Sequence, residues 1–507
     1  MDPNQKYDRQ LRLWHHHGQE KLQNANVLVI NATALGSETL KNLVLPGIGS
    51  FTVVDGSLVT EADLGRNFFL TRECVGKHRS TRLVALLNEL NEAVEGKAVT
   101  MDASEFIRNA KLDEFTLVVA TALSKEDGLV LGRLCWEKKI PLVIARVYGF
   151  YGLVRIVKQE HQVIESHSTE TTDFRFDTPF ASLNELVAST DLTGLDGTDA
   201  SHVPFVVLLF KAMEDWKRKK GKMPVDYNEK KEFKHLVLQM KHPEAIDDEN
   251  VQEAASNAYR VHSPSSIADS TRQLLERATE RVKRGSTDEF WLVCAAIGLF
   301  VRNEGKGLLP VQGVIPDMKA DTDSFVKLQT IYKNKAKQDI QHVRRHLDTL
   351  LEAAGLSHEN ISNETVERYC KNAATIQVVD GVSLDEEYQT PGKTDDNELV
   401  AVYWLLRAVD DFQAKHGHYP AQDSTSEIEQ QIQQLIVIVN SSNGQSIPSA
   451  LVQEFVRAGA SEMHCIAALV GGIAAQEIIK LATHQYVPID NTLILDGVKS
   501  TTASFRF

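Results

Sequence analysis

Between residues 26 and 158, short apolar runs rich in β-branched residues alternate with longer stretches in which apolar positions recur every three or four residues. The first pattern is typical of buried strands and the second of amphipathic helices. Predicted strands cover residues 27–30, 51–55, 115–120, 141–147 and 153–157, and the clearest predicted helix covers residues 72–91. This alternation favours a Rossmann-like α/β fold, with a mostly parallel sheet and helices on its faces.

The pattern changes after about Glu165, where a polar, turn-rich stretch leads into a long region of helical periodicity that reaches beyond Ala414. The α/β character returns near the C-terminus, where an apolar helix is predicted over residues 465–481 and a strand over residues 492–495. We therefore predict that residues 1–164 form the first part of a sheet domain and that residues 165–440 form a mainly helical insert. Residues 441–507 are predicted to complete the sheet domain.

Composition and charge narrow the class of protein. The chain has 507 residues, 42% hydrophobic and 24% charged, which is ordinary for a soluble globular protein. Its net charge of −14 argues against a nucleic-acid binder, which needs a basic surface. The apolar stretches fall short of the roughly 18 residues that a membrane span needs, so we expect no membrane contact. Five scattered cysteines without a Cys-x-x-Cys pair favour a reducing compartment, the cytoplasm or the nucleus.

The turn after the first predicted strand has the layout of a dinucleotide-binding loop, but it lacks two of the three glycines. In the Gly-x-Gly-x-x-Gly loop, the first glycine allows a tight turn, the second allows close approach to phosphate, and the third allows the helix to pack on the strand. Here the three positions hold Asn31, Thr33 and Gly36. Asn tolerates a left-handed turn, whereas the Thr33 side chain crowds the space that a phosphate would use. Asp55 ends the second strand, where an acid would hold ribose hydroxyls, but Asp is also a common strand-ending residue.

Several blocks of sequence carry a resemblance to a known family. The blocks are Tyr7-Asp8-Arg9-Gln10-Leu11-Arg12-Leu13-Trp14, residues 36–43, residues 66–70 and residues 471–477. Together they resemble the ubiquitin-activating-enzyme superfamily. Within it, residues 31–36, 41–51 and 491–507 look most like the regulatory, non-catalytic subunits of the heterodimeric neddylation activating enzymes. The small subunits of the sumoylation activating enzymes are an alternative with a similar start.

The resemblance implies that this chain has lost an adenylation site. Active members have an arginine at the position of Arg66, a lysine at that of Arg79 and a magnesium-binding aspartate at about that of Leu123. A leucine cannot coordinate magnesium, which binds oxygen ligands. Asp55 and Arg66 are then remnants of a dead pocket, or simply a strand-end acid and a surface arginine. The resemblance implies no cofactor and no metal on this chain, with ATP and magnesium in the catalytic subunit of an obligate heterodimer.

Arg9 has a different implied role. In this superfamily, the arginine of the Tyr-x-Arg-Gln block is similar to a finger that reaches from one half of the dimer to the ATP phosphates held by the other half. A guanidinium suits this task because its planar donors and permanent charge match phosphoryl oxygens. The alternative is a helix arginine in a surface ion pair beside Asp8.

The family reaction also uses a catalytic thiolate, which needs exposure and a lowered pKa. Cys135, Cys294 and Cys465 lie among apolar residues and are predicted to be core residues, while Cys74 and Cys370 lie away from the family's thiol position. We therefore predict an insert that resembles a catalytic-cysteine domain without its cysteine. The predicted function is support of ATP-dependent adenylation and thioester formation of the neddylation modifier by a catalytic partner. A self-sufficient adenylyltransferase, a dinucleotide-binding enzyme and a pure adaptor are the alternatives.

Overall fold

The structure, a computed structural model, describes residues 3–168, 172–389, 397–420, 425–443 and 447–507. The chain divides into two compact units. The sheet unit comprises Met1–Val163 and Val378–Phe507, and the helical unit comprises Ile164–Gln377.

Eight strands form one sheet in the order β10-β9-β6-β5-β4-β1-β2-β3, and β7 pairs with β8 separately. The strands are β1 (Asn26–Ile30), β2 (Ser50–Val54), β3 (Glu95–Val99), β4 (Leu117–Thr121), β5 (Leu142–Tyr148), β6 (Tyr151–Val157), β7 (Glu160–Val163), β8 (Gln377–Asp380), β9 (Thr492–Asp496) and β10 (Thr501–Phe505). Strands β1 to β5 pair with one another in parallel, and β6, β9 and β10 extend the sheet beyond β5 in antiparallel fashion. The predicted α/β fold with a mostly parallel central sheet is confirmed.

The helices follow in chain order. They are α1 (Pro3–Lys6), α2 (Asp8–Gln23), α3 (Ala34–Val44), α4 (Glu61–Leu64), α5 (Arg79–Asn88), α6 (Ala103–Asn109), α7 (Lys125–Glu137), α8 (Ala181–Ser189), α9 (Gly197–Ala200), α10 (Phe205–Lys220), α11 (Tyr227–Leu238), α12 (Glu249–Asn257), α13 (Asp269–Lys283), α14 (Glu289–Arg302), α15 (Thr322–Ala353), α16 (Asn363–Lys371), α17 (Leu384–Gln389), α18 (Glu398–His416), α19 (Thr425–Asn443), α20 (Ser449–Ala458) and α21 (His464–Thr483). The helix predicted over residues 72–91 is shorter than expected, because Gly76 adopts a left-handed φ of 76° and α5 begins only at Arg79.

The parallel part of the sheet is covered on both faces. Along β1, Val27 and Val29 pack into one apolar cluster with residues of α3 and α21, while Leu28 and Ile30 pack into another with Leu131 of α7. Alternate side chains of a strand point to opposite faces, so a strand buried on both faces is apolar at every position. This explains why the central strands are readable from short apolar runs.

The helical unit ends earlier than the predicted insert. It ends at Gln377 rather than at residue 440, so α18, α19 and α20 belong to the sheet unit. The physical reason is that α18 packs on the antiparallel strands, where Tyr403 and Leu405 share an apolar cluster with Leu153 of β6 and Ile494 of β9. Helical periodicity shows that a helix has an apolar face but does not show which sheet or helix covers it.

The apolar C-terminal helix, α21, lies inside the sheet unit. Of the described helices, it alone is long and apolar enough to cross a membrane by composition, and 56% of its most apolar stretch is buried within the protein. It packs against α3, β5 and β6. These contacts identify α21 as a central helix of the core.

Candidate functional site

The turn after β1 is built around Asn31, which has a left-handed φ of 69°. Its backbone amide donates to the Val54 carbonyl oxygen at 2.9 Å, and its side-chain amide donates to the Thr121 carbonyl oxygen at 2.8 Å. Asn is one of the few residues besides glycine that adopt this conformation readily. The side chain therefore holds the turn by bonding to the neighbouring strand.

Thr33 and Gly36 begin the helix that follows. Thr33 is the N-cap of α3, and its Oγ1 accepts from the Gly36 amide at 3.3 Å and lies 3.1 Å from the Thr121 Oγ1. A Cβ on Gly36 would lie 2.7 Å from the Asn31 carbonyl oxygen, so only glycine fits. The helix thus keeps the close packing of a nucleotide fold, but its first amides are capped by the chain's own hydroxyl.

Asp55 at the end of β2 is almost fully buried, and both of its oxygens have partners. Oδ2 accepts from the Ala32 amide at 2.8 Å and from the Arg79 Nε at 2.7 Å, while Oδ1 accepts from the Ser57 amide at 2.8 Å. Arg79 also lies 3.3 Å from Asp63. Burial alone would lower the pKa of Arg79, but the charges of Asp55 and Asp63 raise it above the ordinary value. The carboxylate that would hold a ribose is therefore neutralised by a guanidinium of the same chain.

A second internal partner, Glu462, lies at the N-terminus of α3, where nucleotide folds place a phosphate. The Leu35 amide donates to the Glu462 Oε2 at 3.3 Å, and Thr33 and the Ala34 amide also bond to this carboxyl. Burial raises the pKa of Glu462, and these hydrogen bonds offset part of the rise. A β-bridge to Gly149, beside the end of β5, holds Glu462 in place. Glu462 was missed from the sequence, because nothing near it indicates that it meets a helix more than 400 residues earlier in the chain.

The two remaining positions of the pocket do not fit magnesium-bound ATP. Leu123 packs against the apolar cluster that contains Ala120 and Leu131, so it offers no oxygen ligand. Arg66 is exposed, and among the described residues its side chain has no ion pair or hydrogen bond. Within the described ranges, His, Cys, Asp and Glu side chains form no group that could hold a metal ion.

Helix α2, which carries Arg9, is anchored by buried side chains on either side of that residue. Tyr7 accepts a hydrogen bond from Asn91 at 3.1 Å, and its ring fills the space beside Gly47. The Trp14 Nε1 donates to Gln19 at 2.9 Å, and Gln19 donates to the Pro46 carbonyl oxygen at 2.8 Å. These contacts fix the first turns of α2 on the sheet unit.

Arg9 itself is exposed and has no ion pair or hydrogen bond with the residues that the structure describes. The alternative ion pair with Asp8 is not present, because Asp8 bonds instead to Arg12 at 2.9 Å, one turn further along. Leu13, one turn after Arg9, is 53% exposed. An anchored helix therefore presents an unpaired guanidinium next to an apolar side chain.

The cysteines differ in one respect from the prediction. Cys74, Cys135, Cys294 and Cys370 are buried, but Cys465, predicted to be a core residue, is exposed in the first turn of α21. Its neighbours in sequence are apolar because the opposite side of α21 faces the core. Burial raises the pKa of Cys135 to about 12 and also raises the pKa values of Cys294 and Cys370, the two cysteines of the helical unit. Neither cysteine of the helical unit is therefore a reactive thiolate.

Comparisons with known proteins show the family to which this chain belongs. The model of the ThiF family matches residues 7–507. The NEDD8-activating enzyme E1 regulatory subunit of Danio rerio is 39% identical over 99% of this chain and 98% of its own length, and that of Gallus gallus is 42% identical over the same shares. The NEDD8-activating enzyme E1 regulatory subunit AXR1 of Arabidopsis thaliana is 36% identical over 98% of this chain and 95% of its own. This chain belongs to the ThiF family and, within it, to the NEDD8-activating enzyme E1 regulatory subunits.

Proposed function

We propose that this chain is the non-catalytic half of an obligate heterodimer and places Arg9 in the ATP site of the catalytic subunit. The observation that carries the proposal is the contrast between two arginines of the sheet unit. Arg79 forms ion pairs with Asp55 and Asp63 inside the chain's own pocket. Arg9, in contrast, lies on an anchored helix, and its guanidinium is unpaired among the described residues.

In the proposed role, Arg9 donates hydrogen bonds to phosphoryl oxygens of the ATP that the partner binds. Negative charge on these oxygens grows as the modifier's carboxylate displaces pyrophosphate. A fixed guanidinium that bonds to them stabilises the transition state more than the ground state. The anchoring of α2 by Tyr7, Trp14 and Gln19 supports this role, because an arginine on a mobile segment would lose entropy when it docks.

ATP and magnesium are proposed to belong to the partner alone. Support comes from the filled pocket of this chain, where Asp55 is paired with Arg79, the α3 N-terminus with Glu462, and Leu123 replaces an oxygen ligand. The names of the relatives point to NEDD8 as the modifier, and we propose the same modifier here. Because the cysteines of the helical unit are buried, thioester formation is assigned to the partner. We further propose a cytoplasmic or nuclear location without nucleic-acid or membrane contact.

The test is ATP-pyrophosphate exchange with NEDD8, measured for this chain alone, for the catalytic subunit alone and for the pair. The pair with Arg9→Ala is compared with the pair carrying Arg12→Ala, which removes an exposed arginine from the same helix. Loss of a phosphate-stabilising arginine should lower the exchange rate about tenfold or more. Arg12→Ala should leave the rate nearly unchanged, since Arg12 has a surface ion pair with Asp8.

Each other result contradicts one part of the proposal. Exchange by this chain alone would revive a self-sufficient adenylyltransferase. Full exchange by the Arg9→Ala pair would leave the chain a scaffold or adaptor. The Arg9→Ala substitution could instead weaken the heterodimer and leave the exchange rate at saturating subunit concentrations unchanged. That result would place Arg9 in the subunit interface rather than at the ATP phosphates.

A further inference from the structure

A cavity of about 360 Å³ lies at the amino end of the sheet, opposite to the nucleotide-type pocket. The starts of β1, β4 and β5 and the last turns of α2 and α21 surround it, and the end of the antiparallel strand β6 opens into it. Its polar lining consists of Lys21, Asn24, Thr116, Lys158 and His484. Three of these side chains are basic, and none of the described residues that line the cavity is acidic.

Lys158, directly after β6, is the central group of this cavity. Its Nζ lies 3.0 Å from the Nδ1 of His161. An ammonium group can only donate a hydrogen bond, so Nδ1 accepts and the proton of the neutral imidazole is assigned to Nε2. Nε2 is buried and has no hydrogen-bond partner among the described residues, and His161 is only 3% exposed. The Lys158–His161 pair thus contains more donors than acceptors.

The surroundings disfavour additional positive charge. Burial lowers the pKa of Lys158 to about 8, and the charge of Glu160 offsets part of this effect. Burial, followed by the charges of Lys158, His484 and Lys21, holds the pKa of His161 well below its usual value. The His484 ring stacks on His161 with centroids 5.1 Å apart, and its Nδ1 bonds to the Gln162 carbonyl oxygen. An anion beside the half-buried ammonium group of Lys158 would favour its charged form.

We propose that this cavity binds a small oxyanion of the phosphate class through Lys158, which His161 positions. The occupant is either inorganic phosphate or the phosphate group of a small monoester, since both present the same acceptor oxygens to the ammonium group. This cavity is separate from Arg9 and from the filled pocket. The test of the anion site is therefore independent of the test of the proposed function.

In the alternative interpretation, the basic side chains bind no ligand and only stabilise the negative C-terminal ends of α2 and α21. That reading suits Lys21 and His484, which lie in the last turn of α2 and at the C-cap of α21. It does not suit Lys158, which follows a strand and whose described hydrogen bond goes to an imidazole rather than to a helix carbonyl oxygen. Substitution of Lys158 therefore distinguishes the two interpretations.

The experiment titrates the full-length chain with inorganic phosphate and, in a second arm, with glycerol phosphate, at constant ionic strength set by chloride. Calorimetry should detect one saturable site. Lys158→Met should weaken binding about tenfold or more, as expected for loss of a charge-assisted hydrogen bond. Lys158→Arg should retain it. Lys97→Met, which removes an exposed lysine of β3 with the same change of charge, should not alter it. The arm with the higher affinity identifies the source of the phosphate.

A second readout uses the wild-type chain and does not depend on the folding of any variant. Lysines are isotopically methylated, and the pKa of Lys158 is followed by nuclear magnetic resonance with and without phosphate. An anion in contact with the ammonium group must raise that pKa. The proposal is overturned if phosphate neither saturates nor raises the pKa of Lys158, or if Lys158→Met binds it as well as the wild type does.

Discussion

The two ends of the central sheet differ in how their charged side chains are paired. At the carboxyl end, the acidic side chains of the nucleotide-type pocket have partners in the same chain, Asp55 with Arg79 and Glu462 with the α3 N-terminus. At the amino end, Lys158 and His161 lie together in or beside a cavity whose described lining has no acid. The polar groups of the pocket at the carboxyl end bond to one another, which supports the proposal that this chain holds no nucleotide there. At the amino end, by contrast, the described lining of the cavity is basic, and it is there that we propose a ligand.

The largest expected effect comes from breaking the internal pairing at the carboxyl end. Arg79→Ala leaves Asp55 buried without its cation, which should lower the free energy of unfolding of the sheet unit by about 3 kcal/mol. Urea denaturation of the full chain measures this. The control, Arg66→Ala, removes an exposed arginine without described partners and should change the free energy by no more than about 0.5 kcal/mol. Equal effects of the two substitutions would mean that the Asp55–Arg79 pair does not hold the pocket together.

A pH series sharpens the comparison at the amino end. The pKa of Lys158 is lowered to about 8 from an ordinary value of 10.5, so between these values the unfolded chain binds more protons than the folded chain. Stability relative to Lys158→Met should therefore rise as pH increases from about 8 towards 10.5. Added phosphate should flatten this rise, because a bound anion returns the pKa towards its ordinary value. Unfolding midpoints across this range test both statements, and a midpoint difference that is independent of pH would contradict them.

A smaller effect of opposite sign is expected at the carboxyl end. Because the pKa of Glu462 is raised in the folded chain above its ordinary 4.5, its contribution to stability is complete below that value and is lost as pH increases through the folded pKa. The wild type should therefore lose stability relative to Glu462→Gln above pH 4.5. Unfolding midpoints of both proteins on the acid side of neutrality measure the difference. If instead the wild type became more stable relative to Glu462→Gln as pH increased, the α3 N-terminus would stabilise the carboxylate more than burial destabilises it.

The sequence indicates the middle of the sheet well and its edges poorly. β1, β2, β4, β5 and β6 are apolar runs because they are buried on one or both faces, whereas the edge strand β3 reads Glu95-Gly96-Lys97-Ala98-Val99 and carries no such signal. The same reasoning explains the misplaced end of the insert, since the apolar face of α18 is readable but the strands that cover it are not.

Within the pocket, spacing from β1 locates Asn31, Thr33, Gly36 and Asp55, because a nucleotide fold fixes their places relative to two strands. The side chains that fill the pocket come from elsewhere. Glu462 reaches α3 from the loop before α21, and that contact exists only after the C-terminal helix packs into the sheet unit. A local pattern can therefore show that the glycines of a nucleotide-binding loop are absent, but not which distant side chains contact that loop.

The most direct test of the account is the number of nucleotides bound by the heterodimer. Native mass spectrometry of the purified pair with a non-hydrolysable ATP analogue and magnesium counts them without reference to catalysis. We predict one nucleotide per heterodimer, none on this chain alone, and an unchanged count of one with Arg9→Ala, since Arg9 acts on phosphates that the partner holds. Two nucleotides per heterodimer, or one on this chain alone, would contradict the claim that this chain supplies an arginine rather than a nucleotide site.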